Sequence, residues 1–204
     1  MPGQLSVEYH GAVERICVFC GSTTGGRDSY KVATLQMGRA LVRRGLGLVY
    51  GGGRIGLMGT LADQVLALGG EATGVIPRAL AEKGVAHQGL TALHVVESMH
   101  ERKARLVELA DGFVALPGGF GTLDELCETL SLGQLRLHAK PCGLLNVDGY
   151  FDQLLAFLDH VSGQGFLQSE HRDMLLVSAY PDELLDHFTI YRPHDVEKLT
   201  GLDG

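Results

Sequence analysis

Seven short apolar runs alternate with stretches of helical periodicity along this chain of 204 residues. The runs are rich in Val, Leu and Ile and lie at 16–19, 46–50, 72–76, 93–96, 112–116, 142–146 and 175–177. Between them, apolar residues recur at helical spacing at about 30–44, 57–69, 98–110, 123–135, 151–162 and 181–188. Strands without polar alternation suit a parallel sheet that is covered on both faces. The pattern therefore predicts an α/β protein with a single-domain, Rossmann-like, doubly wound parallel sheet.

The domain organisation and the class of partner follow from composition. No Pro-, Gly- or Ser-rich linker and no repeat divides the chain, so we predict one domain over 14–190 with flexible ends at 1–13 and 191–204. The formal net charge of −7 argues against a nucleic-acid polymer as partner, because such binding needs a basic surface. No apolar run approaches the ~18 residues of a membrane span, and the beginning of the chain lacks a signal peptide's basic start and apolar stretch. We therefore predict a cytoplasmic protein that acts on a small molecule.

The four cysteines include one pair, Cys17 and Cys20, with the spacing of a redox or metal site. Both lie at a predicted strand, where residues three apart point to opposite faces of the sheet. A thioredoxin-type pair would begin a helix, and no second pair completes a zinc site. The nine histidines are dispersed. We therefore predict structural thiols, no metal and no cofactor.

Three glycine-bearing loops follow predicted strands. They contain Gly21 and Ser22 after the first strand, Gly51, Gly52, Gly53 and Gly56 after the second, and Gly118, Gly119 and Gly121 after the fifth. Because ligands bind at the carboxyl ends of parallel strands, the loops are expected to line one polar crevice the size of a nucleotide. Gly51, Gly53 and Gly56 also match the GxGxxG fingerprint, which makes NAD binding an alternative. Two details weaken that match, since it follows the second strand and the acid Glu71 precedes its strand rather than ending it.

The run PGGFGTLDE at 117–125 joins an apolar strand to a helix pattern and is typical of an anion site. Glycines let the backbone approach a ligand closely, and free N–H groups at a helix N-terminus face negative charge. Glu125 lies opposite the apolar face of its helix, so we expect it to face solvent, a ligand or another subunit. A structural alternative stays open, because Thr122 and Glu125 also have the spacing of a capping box.

A second candidate site lies where the helix pattern at 98–110 begins. Ser98 and Glu101 have capping-box spacing, which predicts the start of that helix. Met99 and Lys103 share its apolar face, and Arg102 lies beside that face. Two adjacent cations here could contact an anion or a transition state. The alternative is that their apolar stems pack while their charged heads reach water.

The two motifs together resemble the motif pair of the Lonely Guy (LOG) family. They read Met99-x-x-Arg102-Lys103 and Pro117-Gly118-Gly119-x-Gly121-Thr122-x-x-Glu125. Members of this family are cytokinin riboside 5′-monophosphate phosphoribohydrolases. The resemblance covers most of the chain, and its other segments are Cys20-Gly21-Ser22, Tyr50-Gly51-Gly52-Gly53, Gly56-Leu57-Met58-Gly59, Gly74-Val75-Ile76-Pro77, and Lys140-Pro141 through Gly149-Tyr150.

The resemblance implies hydrolysis of the N-glycosidic bond of cytokinin riboside 5′-monophosphates or AMP, which gives a free adenine-type base and ribose 5-phosphate. It implies that Arg102 and Glu125 are the catalytic pair. The implied phosphate- and substrate-binding positions are Gly21, Ser22, Gly51, Gly52, Gly53, Met99, Lys103, Gly118, Gly119, Phe120, Gly121, Thr122 and Ser131. It also implies a homodimer with active sites at the subunit interface. A non-catalytic nucleotide- or molybdenum-cofactor-binding protein of the same fold stays an alternative.

Two positions depart from the family pattern. Ser131 stands where relatives often carry Thr, a change that keeps a hydroxyl. Gly84 stands where relatives commonly carry an acid, and Glu82 is out of register with that position. Members have also been labelled lysine decarboxylases, but no lysine of this chain lies in a recognisable pyridoxal-phosphate context.

Overall fold

The computed structural model describes residues 13–193, in which seven parallel strands form one sheet. The strands are β1 (Arg15–Phe19), β2 (Gly47–Tyr50), β3 (Ala72–Pro77), β4 (Ala92–Val96), β5 (Gly112–Ala115), β6 (Cys142–Leu145) and β7 (Leu175–Ser178). Every predicted strand is present, and each differs from the sequence pattern by one residue at one end. The strand order is β4-β3-β2-β1-β5-β6-β7.

Eight helices connect the strands of the described part of the chain. They are α1 (Asp28–Arg43), α2 (Gly56–Ala67), α3 (Arg78–Ala81), α4 (Met99–Leu109), α5 (Phe120–Gln134), α6 (Asp152–Gly163), α7 (Ser169–Arg172) and α8 (Pro181–Ile190). A 3-10 turn at Val147–Gly149 precedes α6. The six longer helices confirm the predicted ones. The four-residue helices α3 and α7 were not predicted, because so short a segment shows no periodicity.

The helices cover both faces of the sheet, as expected for a doubly wound fold. One buried cluster contains side chains of α1, α2 and α8, and the other contains side chains of α4, α5 and the start of α6. Within β1, Ile16 and Val18 belong to the first cluster and Cys17 to the second, so successive residues serve opposite faces. Cys17 and Cys20 are free thiols in opposite clusters, and burial raises the pKa of Cys17 well above its ordinary value. They therefore behave as apolar core side chains.

The strand order places the ligand crevice. The chain runs outward from β1 to β4 on one side of the sheet and then returns to place β5 on the other side of β1. Loops at the carboxyl ends of β1 and β5 diverge at such a switch point and leave a crevice between them. Because β2, β1 and β5 are neighbours, the three glycine-bearing loops emerge side by side.

The predictions for the two ends of the chain concern residues that lie almost entirely outside the described range. Segments 1–12 and 194–204 lie outside the described residues, so the predicted flexible ends and domain boundaries stay predictions. Within 13–193, none of the helices combines the length and the apolar character that a bilayer crossing needs.

Candidate active site

The three glycine-bearing loops contact one another at the carboxyl ends of β1, β2 and β5. Gly21 N–H donates to the Pro117 carbonyl at 3.1 Å, which joins the first loop to the fifth-strand loop. The Gly21 carbonyl in turn accepts from Leu57 N–H at 3.1 Å, which joins it to the start of α2. The structure therefore brings the three loops together, as their positions after the strands predicted.

The GxGxxG glycines serve close packing between the loops. Gly56 has a φ of +63°, and a Cβ at this position would collide with the backbone of Ser22. The first N–H groups of α2, on Leu57 and Met58, donate to the Gly21 carbonyl instead of to open solvent. A dinucleotide pyrophosphate needs such N–H groups free at the helix N-terminus. The packing thus gives the fingerprint a structural role and disfavours the NAD alternative.

Helix α5 begins three residues earlier than predicted and offers an anion site. Its N-cap is Gly119, which has no side chain to cap the helix, and Leu123 N–H donates to the Gly119 carbonyl at 3.1 Å. The N–H groups at 120–122 precede this bond and have no partner within the helix ladder. Thr122 therefore lies within the first turn rather than at the cap, and the predicted capping box with Glu125 is wrong. Thr122 is instead buried beneath Gly118, where a Cβ would collide with its side chain.

A cavity of about 230 Å³ opens beside this helix start. The loop after β1 lines it with Gly21, Thr23 and Tyr30 among others, and the opposite side is formed by Gly118, Gly119 and Tyr150. The sequence pattern predicts the glycines in this cavity but not the two tyrosines. Tyr150 belonged only to a segment of family resemblance, without a chemical pattern of its own.

Arg102 extends from the first turn of α4 into the interior of the site. The residue is 9% exposed, and its Nε donates to the Val75 carbonyl at 3.1 Å. Nη2 donates to the Gly51 carbonyl at 3.4 Å and lies 3.5 Å from Glu125 Oε1. The snorkelling alternative is therefore wrong for Arg102, whose guanidinium is fixed by one backbone carbonyl within β3 and one in the loop after β2.

Glu125 faces Arg102 from the second turn of α5. Its side chain is 10% exposed and shares the buried face of α5 with Thr122, Leu126 and Thr129, so the prediction that Glu125 lies opposite the buried face of its helix is wrong. Burial raises the pKa of Glu125 above its ordinary value, while the Arg102 charge opposes that rise. A carboxylate with a raised pKa is a better proton acceptor than an exposed one. The Glu125 carboxylate can thus accept a proton, while Arg102 balances its negative charge.

Lys103 and Met99 flank Arg102 on α4 and have different surroundings. The Lys103 ammonium lies 3.1 Å from Asp124 Oδ2 and also pairs with Glu128, both on α5. These carboxylates, Glu128 first, raise the pKa of Lys103. Met99 is half-exposed, with its sulfur 3.8 Å from Arg102 Nη1. The substrate role of Lys103 stays a prediction, and within this chain its charge ties α4 to α5.

Phe120 and Ser131 are not enclosed by the crevice of their own chain. Phe120 is 93% exposed at the start of α5. Ser131 is exposed two turns beyond Glu125, its hydroxyl donates to the Cys127 carbonyl at 2.8 Å, and it lines a separate cavity of about 170 Å³. Their predicted substrate contacts therefore stay predictions.

The departure at Gly84 has a local backbone reason. Gly84 has a φ of +72°, a backbone conformation that residues other than glycine rarely adopt. Its carbonyl accepts from Arg54 Nε at 2.8 Å, and an isolated bridge between Gly53 and Ala86 lies nearby. The backbone of an acidic residue at this position would be strained. The contacts with Arg54 and Gly53 hold the segment after α3 against the loop after β2.

This fold and site define a Rossmann-like protein with a glycine-lined crevice at the switch point of a parallel sheet. A family model described as possible lysine decarboxylase matches residues 58–188, more than half of the chain. A probable cytokinin riboside 5′-monophosphate phosphoribohydrolase of Oryza sativa subsp. japonica is 46% identical over 187 residues, which are 91% of this chain and 76% of that protein. The chain therefore belongs to the LOG family, as the motif pair indicated.

Further comparisons agree with this assignment. A cytokinin riboside 5′-monophosphate phosphoribohydrolase of Arabidopsis thaliana is 44% identical over 180 residues, which cover 88% of this chain and 79% of that protein. Among solved structures, the molybdenum cofactor binding protein of Rippkaea orientalis matches with a TM-score of 0.67 and 19% identity. That match covers 88% of this chain and 97% of the other. At so low an identity it supports the fold alone.

Proposed function

We propose that this protein hydrolyses the N-glycosidic bond of adenine-type nucleoside 5′-monophosphates and releases the free base and ribose 5-phosphate. The observation that carries the proposal is the buried Arg102–Glu125 pair, in which Glu125 belongs to the helix whose N-cap, Gly119, lines the glycine-bearing cavity. Relatives that cover most of the chain are named for this reaction on cytokinin riboside 5′-monophosphates. The same chemistry on AMP needs no different group at the ribose.

The glycosidic bond breaks with positive charge developing on the ribose, as in glycoside hydrolysis. The N–H groups at the start of α5 and the loop glycines hold the 5′-phosphate, which aligns the sugar before bond cleavage. Glu125 stabilises the ribosyl cation and orients or deprotonates the attacking water. Arg102 holds Glu125 in place and favours its ionised form, because the guanidinium charge lowers the carboxyl pKa.

We further propose that the active unit is a homodimer with sites at the subunit interface. The support is that Phe120 and Ser131 lie outside their own chain's crevice. A cytoplasmic location stays a prediction from the sequence.

The deciding experiment incubates the purified protein with AMP and with isopentenyladenosine 5′-monophosphate, and resolves free base by chromatography. The corresponding nucleosides without phosphate are the controls. Base released only from the monophosphates is the expected result, and the two rates rank the substrates. Tight nucleotide binding without base release would contradict the proposal and favour a binding protein of the same fold.

A further inference from the structure

We propose that Tyr150 is a positioning residue that holds the phosphate loop in its anion-binding orientation. Its phenol hydroxyl donates to the Gly118 carbonyl at 2.6 Å. This bond crosses from the turn after β6 to the loop after β5, and both residues line the 230 Å³ cavity. The inference rests on the proposed function, because it assigns the cavity to the phosphate of the substrate.

Tyr150 itself is held by a rigid turn. The Asn146 side chain accepts from Phe151 N–H at 2.8 Å and donates to Asp152 Oδ1 at 2.7 Å, which closes the turn around Tyr150. The Tyr150 ring meets Phe151 edge to face at 4.9 Å and Tyr30 at 5.5 Å between ring centroids. Phe151 is 2% exposed, so this support is part of the core. The hydroxyl is therefore presented from a fixed position.

The peptide between Gly118 and Gly119 needs such an external hold. Two consecutive glycines have wide conformational freedom, and no helix bond fixes this peptide before α5 begins. In a trans peptide the carbonyl and the following N–H point in opposite directions. A bond from Tyr150 to the Gly118 carbonyl therefore turns the Gly119 N–H to the other side of the peptide.

The orientation matters because the two ends of a peptide carry opposite partial charges. A carbonyl oxygen turned into the crevice would repel a phosphate, while an N–H turned there adds a donor to those at 120–122. Tyr150 keeps the Gly118 carbonyl, which would repel a phosphate, in a hydrogen bond with its own hydroxyl. Its hydroxyl acts through Gly118 and is not required to touch the reacting atoms.

The test replaces Tyr150 by Phe, which removes the hydroxyl and keeps the ring contacts. Tyr180→Phe is the matched control, since Tyr180 is an exposed residue at the start of α8. Calorimetry measures binding of inorganic phosphate and ribose 5-phosphate, and steady-state kinetics on AMP separate KM from kcat. Inhibition by free adenine reports the base side of the site, and melting temperature reports the fold.

We expect Tyr150→Phe to weaken ribose 5-phosphate binding and raise KM about threefold to tenfold, the size of one lost neutral hydrogen bond. Adenine inhibition, melting temperature and the Tyr180→Phe control are expected to match the wild type. Unchanged ribose 5-phosphate binding, or an equal loss for adenine, would overturn the inference. Because the binding measurements need no turnover, a wild-type protein that binds ribose 5-phosphate but releases no base would sink the proposed function alone.

Discussion

The Arg102 guanidinium lies 3.5 Å from the Glu125 carboxylate, and the two side chains are only 11% and 10% exposed. Transferring two charges from water into a protein is costly, and a buried ion pair often stabilises a fold no more than apolar residues would. Stability alone is therefore a weak reason for this pair. The pair instead has a chemical reason, because it lies where the β2 loop, β3 and the glycine-rich start of α5 converge at the ligand-binding edge of the sheet.

Glu125→Gln keeps the size of the side chain and removes its negative charge. We expect kcat on AMP or a cytokinin riboside 5′-monophosphate to fall by about 10²–10⁴-fold, the usual cost of losing a placed acid–base group. The melting temperature is expected to stay close to that of the wild type. Glu108→Gln is the control, because Glu108 lies on the surface of α4 and forms an exposed ion pair with Arg105. Near wild-type turnover of the Glu125 variant would remove Glu125 from the mechanism.

Arg102→Met is expected to move the acid limb of the pH–rate profile. Burial raises the pKa of Glu125 and Arg102 opposes that rise, so loss of the guanidinium raises the pKa further. The ionised carboxylate is the active form, hence activity is present above this pKa and is lost as the pH falls through it. The acid limb of kcat/KM therefore shifts to higher pH, by about one unit or more for a charge this close.

The measurement is kcat/KM of wild type and variant across the acid range, with Arg102→Lys as a variant that keeps the charge. The acid limb of Arg102→Lys is expected to lie at a pH between that of the wild type and that of Arg102→Met, because the ammonium group keeps a positive charge near Glu125. An acid limb that does not move in Arg102→Met would show that it belongs to another group.

Much of the fold was readable from local pattern, whereas the site depended on contacts distant in sequence. The apolar runs define strands because burial on both faces leaves no polar position in them. The start of α5 was predicted late, since Gly119 and Gly121 are poor helix formers and Thr122 imitates a cap. Periodicity and spacing could not reveal that Glu125 contacts Arg102 on a different helix, and only the resemblance to the LOG family brought the two residues together as a pair. Nor could it show that Arg102 is buried rather than snorkelling.

The Arg102 guanidinium has space because Gly51, in the loop after β2, has no side chain. A Cβ at Gly51 would collide with the Arg102 guanidinium, which is the far end of a flexible side chain. Gly51→Ala is therefore expected to displace Arg102 while the fold persists. Because misplacing a catalytic group by about 1 Å can cost ~10²-fold, we expect kcat/KM to fall on that order.

Gly163→Ala is the matched control for this prediction, since a Cβ at the end of α6 meets no atom within 4 Å. The two variants are compared by kcat/KM and by circular dichroism melting. Full activity in Gly51→Ala would show that Arg102 either tolerates displacement or is not needed. A collapse in melting temperature would instead assign Gly51 to the packing of the loops.

Because His138 is buried, we expect the protein to lose stability in mild acid independently of the active site. The residue is 8% exposed, with Nε2 3.0 Å from the Thr129 carbonyl, and Nδ1 accepting from Lys140 N–H at 3.2 Å. Burial lowers the pKa of His138 below its ordinary value, the bond to Thr129 opposes this, and the Lys140 charge adds to it. In the neutral ring, Nε2 carries the hydrogen and donates to Thr129, while protonation of Nδ1 would break its bond to Lys140.

The unfolded chain therefore binds a proton at His138 at a pH where the folded protein does not. Stability is full above the unfolded pKa of about 6.5 and falls as the pH drops below that value, until the folded pKa is reached. We expect urea unfolding of the wild type to show a steeper loss between pH 7 and pH 5 than unfolding of His138→Leu, although the variant is less stable at pH 7. His100→Gln, at an exposed position, is expected to keep the wild-type slope. Equal slopes for all three proteins would show that His138 titrates alike in the folded and unfolded chains.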